Sequence, residues 1–162
     1  MQVSEETIWE GRPVLITWLP GYRPRSGEMV TQVSGLCFSG RGNILLVSED
    51  ESVWSLPGGK PEGRETREQT LRREIAEEAC ADVLRLHFMG SQRVEGLTPQ
   101  PSYQLRYWAR IRLQPFSPAF ETRYRTLVSP GEYANVLAWG AGPLGQTLLS
   151  EALGVERQSR ER

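Results

Sequence analysis

Apolar and polar positions along the chain follow two periods, one typical of strands and one typical of helices. Runs of β-branched residues and strictly alternating runs predict strands, because successive side chains of a strand point to opposite faces. The clearest alternation is QLRYWARIRL, in which Leu105, Tyr107, Ala109 and Ile111 share one face. The predicted strands cover residues 14–19, 30–38, 43–48, 83–89, 104–113 and 124–128. Residues 39–42 (SGRG) predict a hairpin between the second and third of these strands.

Helical periodicity appears between the third and fourth predicted strands. Residues 66–79 are rich in helix formers, and Leu71, Ile75 and Ala79 recur every four positions as one apolar stripe. Residues 144–153 predict a closing helix. Residues 1–11 are polar and predict a loosely held lead-in, while the charged run 154–162 predicts a disordered tail. The predicted organisation is an N-terminal extension with a strand packed on the domain (1–28), one α/β domain (29–153) and a tail (154–162).

Composition excludes several classes of protein. The 162 residues carry a net charge of −1, which suits one ordinary domain and argues against a nucleic-acid-binding face. One histidine and two cysteines cannot form a Cys₂His₂ or Cys₄ zinc site or a disulfide framework, and they suit a reducing, cytoplasmic environment. No sustained apolar run predicts a membrane span, and the polar N-terminus is not typical of a signal peptide.

Acidic residues cluster on the predicted helix and in the loop before it. On a helix, Glu74, Glu77 and Glu78 share one arc beside the apolar stripe. Like charges at this spacing destabilise a helix by about 0.2–0.5 kcal/mol per pair, so something must offset the repulsion. A hard divalent cation such as Mg²⁺ or Mn²⁺ would do so. Neighbouring arginines on a solvated surface would do so as well, and charge runs are usually surface.

The order of residues favours the first interpretation. Gly59, Glu65 and the run REIAEE at 73–78 match the pattern GX5EX7REUXEE, in which U is aliphatic. The preceding residues, WSLPGG, complete a segment that resembles the Nudix box, the signature of the Nudix hydrolase family. One position departs from the box: Cys80 stands where the family usually has a glycine. This puts the loop after the helix in doubt and leaves the glutamates untouched.

The resemblance implies a fold, a reaction and a cofactor. The fold would be an α/β/α sandwich with a mixed sheet and a loop–helix–loop box. The reaction would be water attack on phosphorus in a nucleoside diphosphate linked to another group, with Mg²⁺ or Mn²⁺ as the cofactor. The resemblance implies metal ligands at Glu74, Glu77, Glu78 and the backbone of Gly58 or Gly59. It also implies that Arg73 holds a glutamate of the site, that Glu74 shares in catalysis, and that Glu65 braces the loop.

Residues outside the box are expected to complete the site. Glu121 is the first candidate for an additional catalytic carboxylate, with Glu95 and Glu132 as competitors. For substrate binding, the expected contacts are those of Lys60 and Arg64 with phosphate and of Trp18 and Arg23 with a nucleobase.

Two alternatives and one open question accompany this interpretation. The domain could be a catalytically idle nucleotide sensor or interaction module, although all four box glutamates are present. It could also hydrolyse diphosphates that are not nucleotides. The N-terminal strand could either form a homodimer interface or cover the substrate pocket.

Overall fold

Eight strands form one mixed β-sheet in the computed structural model, which describes residues 2–161. The strands are β1 (Val3–Trp9), β2 (Arg12–Pro20), β3 (Met29–Phe38), β4 (Ile44–Ser48), β5 (Gly58–Gly59), β6 (Ala81–Glu95), β7 (Ser102–Leu113) and β8 (Tyr124–Val128). The helices are α1 (Arg67–Ala79), α2 (Tyr133–Val136) and α3 (Pro143–Arg160).

The strand order is β1-β2-β6-β7-β3-β4-β8, and the short strand β5 pairs with β3. The pair β3–β7 is parallel and lies in the middle of the sheet, while the other named pairs are antiparallel. β4 pairs with β3 at a single position, Phe38 with Ile44, and β5 occupies the side of β3 that β4 leaves. The gap between β3 and β4 therefore admits the loop that carries Gly58 and Gly59.

Each face of the sheet is covered by a helix. Leu71, Ile75 and Ala79 of α1 are fully buried on one face, among residues that include the alternating set predicted on β7. On the other face, Leu148 and Ala152 of α3 are buried against side chains of β3, β4 and β7. The predicted α/β/α sandwich with a mixed sheet is confirmed. None of the helices within residues 2–161 is long and apolar enough to cross a bilayer.

The N-terminal segment is not a loosely held lead-in, so that expectation was wrong. Residues 3–9 form β1, which pairs along its whole length with β2. Glu10 and Gly11 connect the two strands with φ values of 51° and 76°, which is the geometry of a type I′ hairpin. β2 in turn pairs with β6, so the extension continues the central sheet.

The expectation of a disordered tail after residue 153 was also wrong. α3 runs on to Arg160, and the prediction stopped it seven residues early. The reason is Glu156, whose side chain is 8% exposed and accepts hydrogen bonds from Arg110 (2.6 Å) and Trp108 (3.2 Å). These contacts tie the last turns of α3 to β7. The last predicted tail residue, Arg162, lies outside the described residues.

Candidate functional site

The loop before α1 brings bare backbone up to the acidic face of that helix. Gly58 and Gly59 pair with Ser34 and Val33 of β3. A Cβ atom added to Gly59 would lie 2.5 Å from both Cδ and Oε1 of Glu74, closer than atoms can approach. Glycine at this position therefore lets the Glu74 carboxylate lie directly against the loop backbone.

α1 itself begins and ends at well-defined caps. Thr66 accepts a hydrogen bond from the Gln69 backbone, and the Gln69 side chain accepts one from the Thr66 backbone, which is a capping box. The helix ends at Cys80 in the left-handed conformation, with φ 52° and ψ 51°. Cys80 thus adopts the backbone conformation for which glycine is favoured, at a cost of about 1–2 kcal/mol.

Two residues outside α1 hold the end of the helix that carries Glu78. The Thr122 hydroxyl donates to the Glu78 carbonyl (2.7 Å), and Arg125 donates to the carbonyls of Ala79 (2.7 Å) and Cys80 (3.2 Å). Sequence reasoning missed both residues, because their partners are more than 40 positions away. Only the placement of β8 and the segment before it reveals them.

Glu78 is the most strongly perturbed acid of the cluster. Its Oε1 accepts a hydrogen bond from the Gly58 backbone N–H at 2.8 Å. Burial, followed by the nearby charges of Glu74, Glu121 and Glu77, raises the pKa of Glu78 to about 8, against the opposing effect of the hydrogen bond from Gly58. Burial also raises the pKa of Glu74 above its ordinary value, against the opposing effect of Arg73. Concentrated negative charge thus surrounds Glu78.

Arg73 links the carboxylates of the loop and the helix. Its Nε and Nη2 donate to the two oxygens of Glu65 at 2.7 and 3.1 Å. Its Nη1 donates to Glu74 at 2.8 Å and to Glu77 at 3.3 Å, and Nη2 also donates to the Lys60 carbonyl at 3.1 Å. One guanidinium therefore fixes the loop to the helix through Glu65 and orients the carboxylates of Glu74 and Glu77.

Glu65 contacts the loop and the helix as a bracing residue would. Besides the pair with Arg73, its Oε1 accepts hydrogen bonds from the Glu62 backbone (2.9 Å) and the Thr70 hydroxyl (3.2 Å). The hydrogen bond from Arg73 is the largest effect that lowers the pKa of Glu65 to about 2. Glu65 is therefore ionised at neutral pH and fully engaged in protein contacts.

A cavity of about 340 Å³ opens over this cluster. An adjoining cavity of about 310 Å³ shares two of its lining residues, Glu78 and Glu121. The structure thus brings Glu121, predicted from outside the box, to the same cavity as the helix glutamates. The first cavity is lined by Gly58, Gly59, Lys60, Glu62, Glu74, Glu77, Glu78, Phe120 and Glu121.

The four residues predicted to bind substrate have different positions. Lys60 is exposed and lines the cavity, and Arg64 is an exposed residue of the same loop. Arg23 instead lies 4.2 Å over the ring of Phe88. Trp18 is fully buried in the core and donates to Glu151 at 3.0 Å, so the prediction that it lines a nucleobase pocket was wrong. The indole packs in the same core cluster as Leu148 and Ala152 of α3.

The cluster offers oxygen donors that do not yet converge on one point. Within residues 2–161, no three acidic, histidine or cysteine side chains converge closely enough to hold a metal ion. Arg73 donates to both Glu74 and Glu77 within this cluster. The available donors are carboxylate and backbone oxygens only, which is the ligand set of a hard cation. The chemistry of the donors therefore fits Mg²⁺ or Mn²⁺.

Fold and site together define a class of protein: an α/β/α sandwich with a carboxylate-bearing helix packed against a glycine loop. The model of the NUDIX domain matches residues 29–136, which is more than half of the chain. The chain therefore belongs to the Nudix hydrolase family.

Solved structures with a similar fold agree with this membership. A variant of the Bacillus subtilis pyrophosphohydrolase BsRppH is 21% identical with a TM-score of 0.68, over 94% of this chain and 97% of that one. MutT from Methanosarcina mazei Go1 is 20% identical with a TM-score of 0.57, over 81% and 97%. An ADP-ribose pyrophosphatase from Streptococcus suis is 22% identical with a TM-score of 0.56, over 79% and 91%. No curated protein sequence matched the chain.

Proposed function

We propose that this protein is a divalent-metal-dependent pyrophosphohydrolase that cleaves a nucleoside diphosphate linked to another group. The observation that carries the proposal is the acidic face of α1, held against the bare backbone of Gly58 and Gly59. A desolvated group of carboxylates is costly in a protein that has no use for it. Its position beside an open cavity suits the binding of cations and phosphate.

Glu74, Glu77 and Glu78 would hold the cation, together with a backbone carbonyl at Gly58 or Gly59. When bound, Mg²⁺ or Mn²⁺ neutralises diphosphate charge and lowers the pKa of a coordinated water. The protein's own contribution is to keep these oxygens on one rigid helix turn. The N–H of Gly58 fixes one Glu78 oxygen at 2.8 Å and leaves the other oxygen for the cation.

Arg73 and Glu65 would act as positioning residues. The paired hydrogen bonds between them fix the guanidinium plane, so that Nη1 meets Glu74 in a defined orientation. Lys60, exposed at the cavity wall, would attract the diphosphate as a point charge.

Glu121 would receive the proton of the attacking water. It lines the cavity with Glu78 and is exposed, which suits a carboxylate that must exchange its proton with solvent. It lies on the segment before β8, so its position does not depend on the helix that carries the other carboxylates.

The direct experiment is hydrolysis of a panel of nucleoside triphosphates, nucleotide sugars, dinucleotides and sugar diphosphates. Each is incubated with the protein and Mg²⁺ or Mn²⁺, and with EDTA in place of the metal. Turnover that requires the metal supports the proposal. Tight nucleotide binding without turnover by folded protein would contradict it and favour a sensor.

The variant Glu78→Gln tests the role of the helix carboxylates. It should lower kcat by about 10²–10⁴-fold, or about 3–5 kcal/mol of barrier, with the fold intact. Glu68→Gln is the matched control, because it makes the same change on an exposed position of α1 outside the cavity. Full activity of Glu78→Gln would remove Glu78 from the proposed role.

A further inference from the structure

A buried arginine with neutral partners lies on the sheet face opposite α1. Arg106 of β7 is 4% exposed. Its three nitrogens each donate to a glutamine carbonyl: Nε to Gln92 at 2.6 Å, Nη1 to Gln32 at 2.9 Å and Nη2 to Gln104 at 3.0 Å. The three glutamines are cross-strand neighbours in one row of β6, β7 and β3. The arrangement is a built platform with the guanidinium at its centre.

The chemistry of arginine fixes the orientation of all three amides. A guanidinium only donates hydrogen bonds, so each glutamine must turn its oxygen towards Arg106 and its NH₂ group away. None of the three Nε2 groups donates a hydrogen bond to another of residues 2–161. The platform therefore turns three NH₂ donors outward, while each glutamine oxygen is engaged by Arg106.

The charge of Arg106 has no acidic partner within the described chain. Burial lowers the pKa of Arg106 to about 10, so the group stays charged at neutral pH. Ser34, paired with Arg106 across β3 and β7, has a buried hydroxyl without a hydrogen-bond partner, and so does Tyr133. A buried charge held only by neutral amides is costly unless a ligand completes its surroundings.

The platform is the polar floor of a cavity of about 430 Å³, a size typical of small-molecule sites. Trp139 lies 5.4 Å from the guanidinium carbon of Arg106, measured to its ring centre. Trp9, Ile8, Ile16 and Leu144 supply the remaining apolar lining. Glu5 also lines the cavity, and its carboxylate lies close to Gly142 at the start of α3. Apolar and aromatic walls over a polar floor suit a flat ring.

The cavity adjoins the candidate catalytic loop through β3. Gln32 directly precedes Val33, the residue that pairs with Gly59. Consecutive strand residues are about 3.3 Å apart, so the platform begins within one residue of the strand position that carries the loop. The cavity and the glycine loop therefore share one stretch of β3, with the side chains of Gln32 and Val33 on opposite faces of the sheet.

We propose that Arg106, Gln32, Gln92 and Gln104 select the substrate by a ring edge that carries acceptors only. This rests on the proposed function, because it names the recognised part of that substrate. The O6/N7 edge of a 6-oxopurine has two acceptors, whereas the corresponding edge of adenine carries an amino donor that would face the donors of the platform. The preferred substrates are therefore 6-oxopurine nucleotides.

The test compares inosine monophosphate with adenosine monophosphate, which differ at this edge by an oxygen in place of the amino group. Titration calorimetry without metal measures both affinities independently of turnover. Inosine monophosphate should bind about 10–100-fold more tightly. Equal affinity, or no binding of either by folded protein, would overturn the proposal. If the preference holds and the substrate panel shows no turnover, only the proposed function fails.

The variant Gln104→Glu tests whether the platform causes the preference for inosine monophosphate. The new carboxylate should pair with Arg106 and replace a donor with an acceptor, so the preference should fall to within about threefold. Gln100→Glu is the control, since it adds the same charge on the exposed loop before β7 and should leave the preference unchanged. Gln32→Glu provides a second variant if Gln104→Glu does not fold. An unchanged preference in the folded variant would contradict the assignment.

Discussion

Replacing Gly59 with alanine should lower the catalytic activity strongly and the stability of the protein only slightly. The added Cβ would lie 2.5 Å from Cδ and Oε1 of Glu74, whereas ordinary contacts begin at 3.4 Å. The carboxylate must therefore retreat by about 1 Å from the loop backbone. A misplacement of this size costs about 10²-fold in activity when it affects a reacting group.

The stability cost of the same variant should be small. The atom that must move is the end of a flexible side chain, and a rotamer shift of this kind costs about 0.5–1.5 kcal/mol. Gly58→Ala provides the contrast, because its Cβ would meet the Val33 carbonyl and the Ser34 Cα, which are backbone atoms. That variant should lose stability first.

The assay pairs kcat/KM on the best substrate of the panel with urea unfolding of each variant. Gly40→Ala is the matched control, since its Cβ would meet nothing within 4 Å, and it should behave as the unmodified protein. Gly59→Ala with activity within about twofold of the unmodified protein would refute the reasoning, because the position of Glu74 would then not matter.

Two further predictions concern α3 and the end of α1. Glu156→Gln should destabilise the protein by about 2–4 kcal/mol, because it leaves the Arg110 guanidinium without its buried carboxylate; urea unfolding measures this, and unchanged stability would contradict the assigned role of the pair. Cys80→Val should destabilise by about 1 kcal/mol or more, while Cys80→Gly should not, because φ of 52° disfavours a β-branched residue; thermal melts that rank the two variants in the opposite order would contradict this.

The sequence could predict those parts of the fold in which the regularly spaced apolar residues are also the buried residues. The apolar stripe of α1 (Leu71, Ile75 and Ala79) is buried in the core between this helix and the sheet. The apolar face of β7 is buried in the same core. The N-terminal hairpin was missed because β1 carries polar residues on both faces, and only the turn at Glu10 and Gly11 signals it.

The residues whose roles the sequence did not reveal depend on contacts between distant segments. Glu156 looks like a solvated charge in the sequence, and its partner Arg110 is 46 positions away. Trp18 looks like a stacking residue in the sequence, and its partner Glu151 on α3 is 133 positions away. The Arg106 platform draws on three strands, so no local pattern contains it. Spacing predicted the helix glutamates because they share one element.

The repulsion among the glutamates of α1 must be offset by positive charge, and Arg73 supplies part of that charge. Arg73 contacts Glu65, Glu74 and Glu77 at once, so one positive charge is shared among three acids that the helix and loop bring together. Part of the repulsion among these carboxylates is therefore offset by the contacts of Arg73. A cation bound to the same oxygens would compete with Arg73 for Glu74 and Glu77, while the paired hydrogen bonds to Glu65 would still hold the guanidinium.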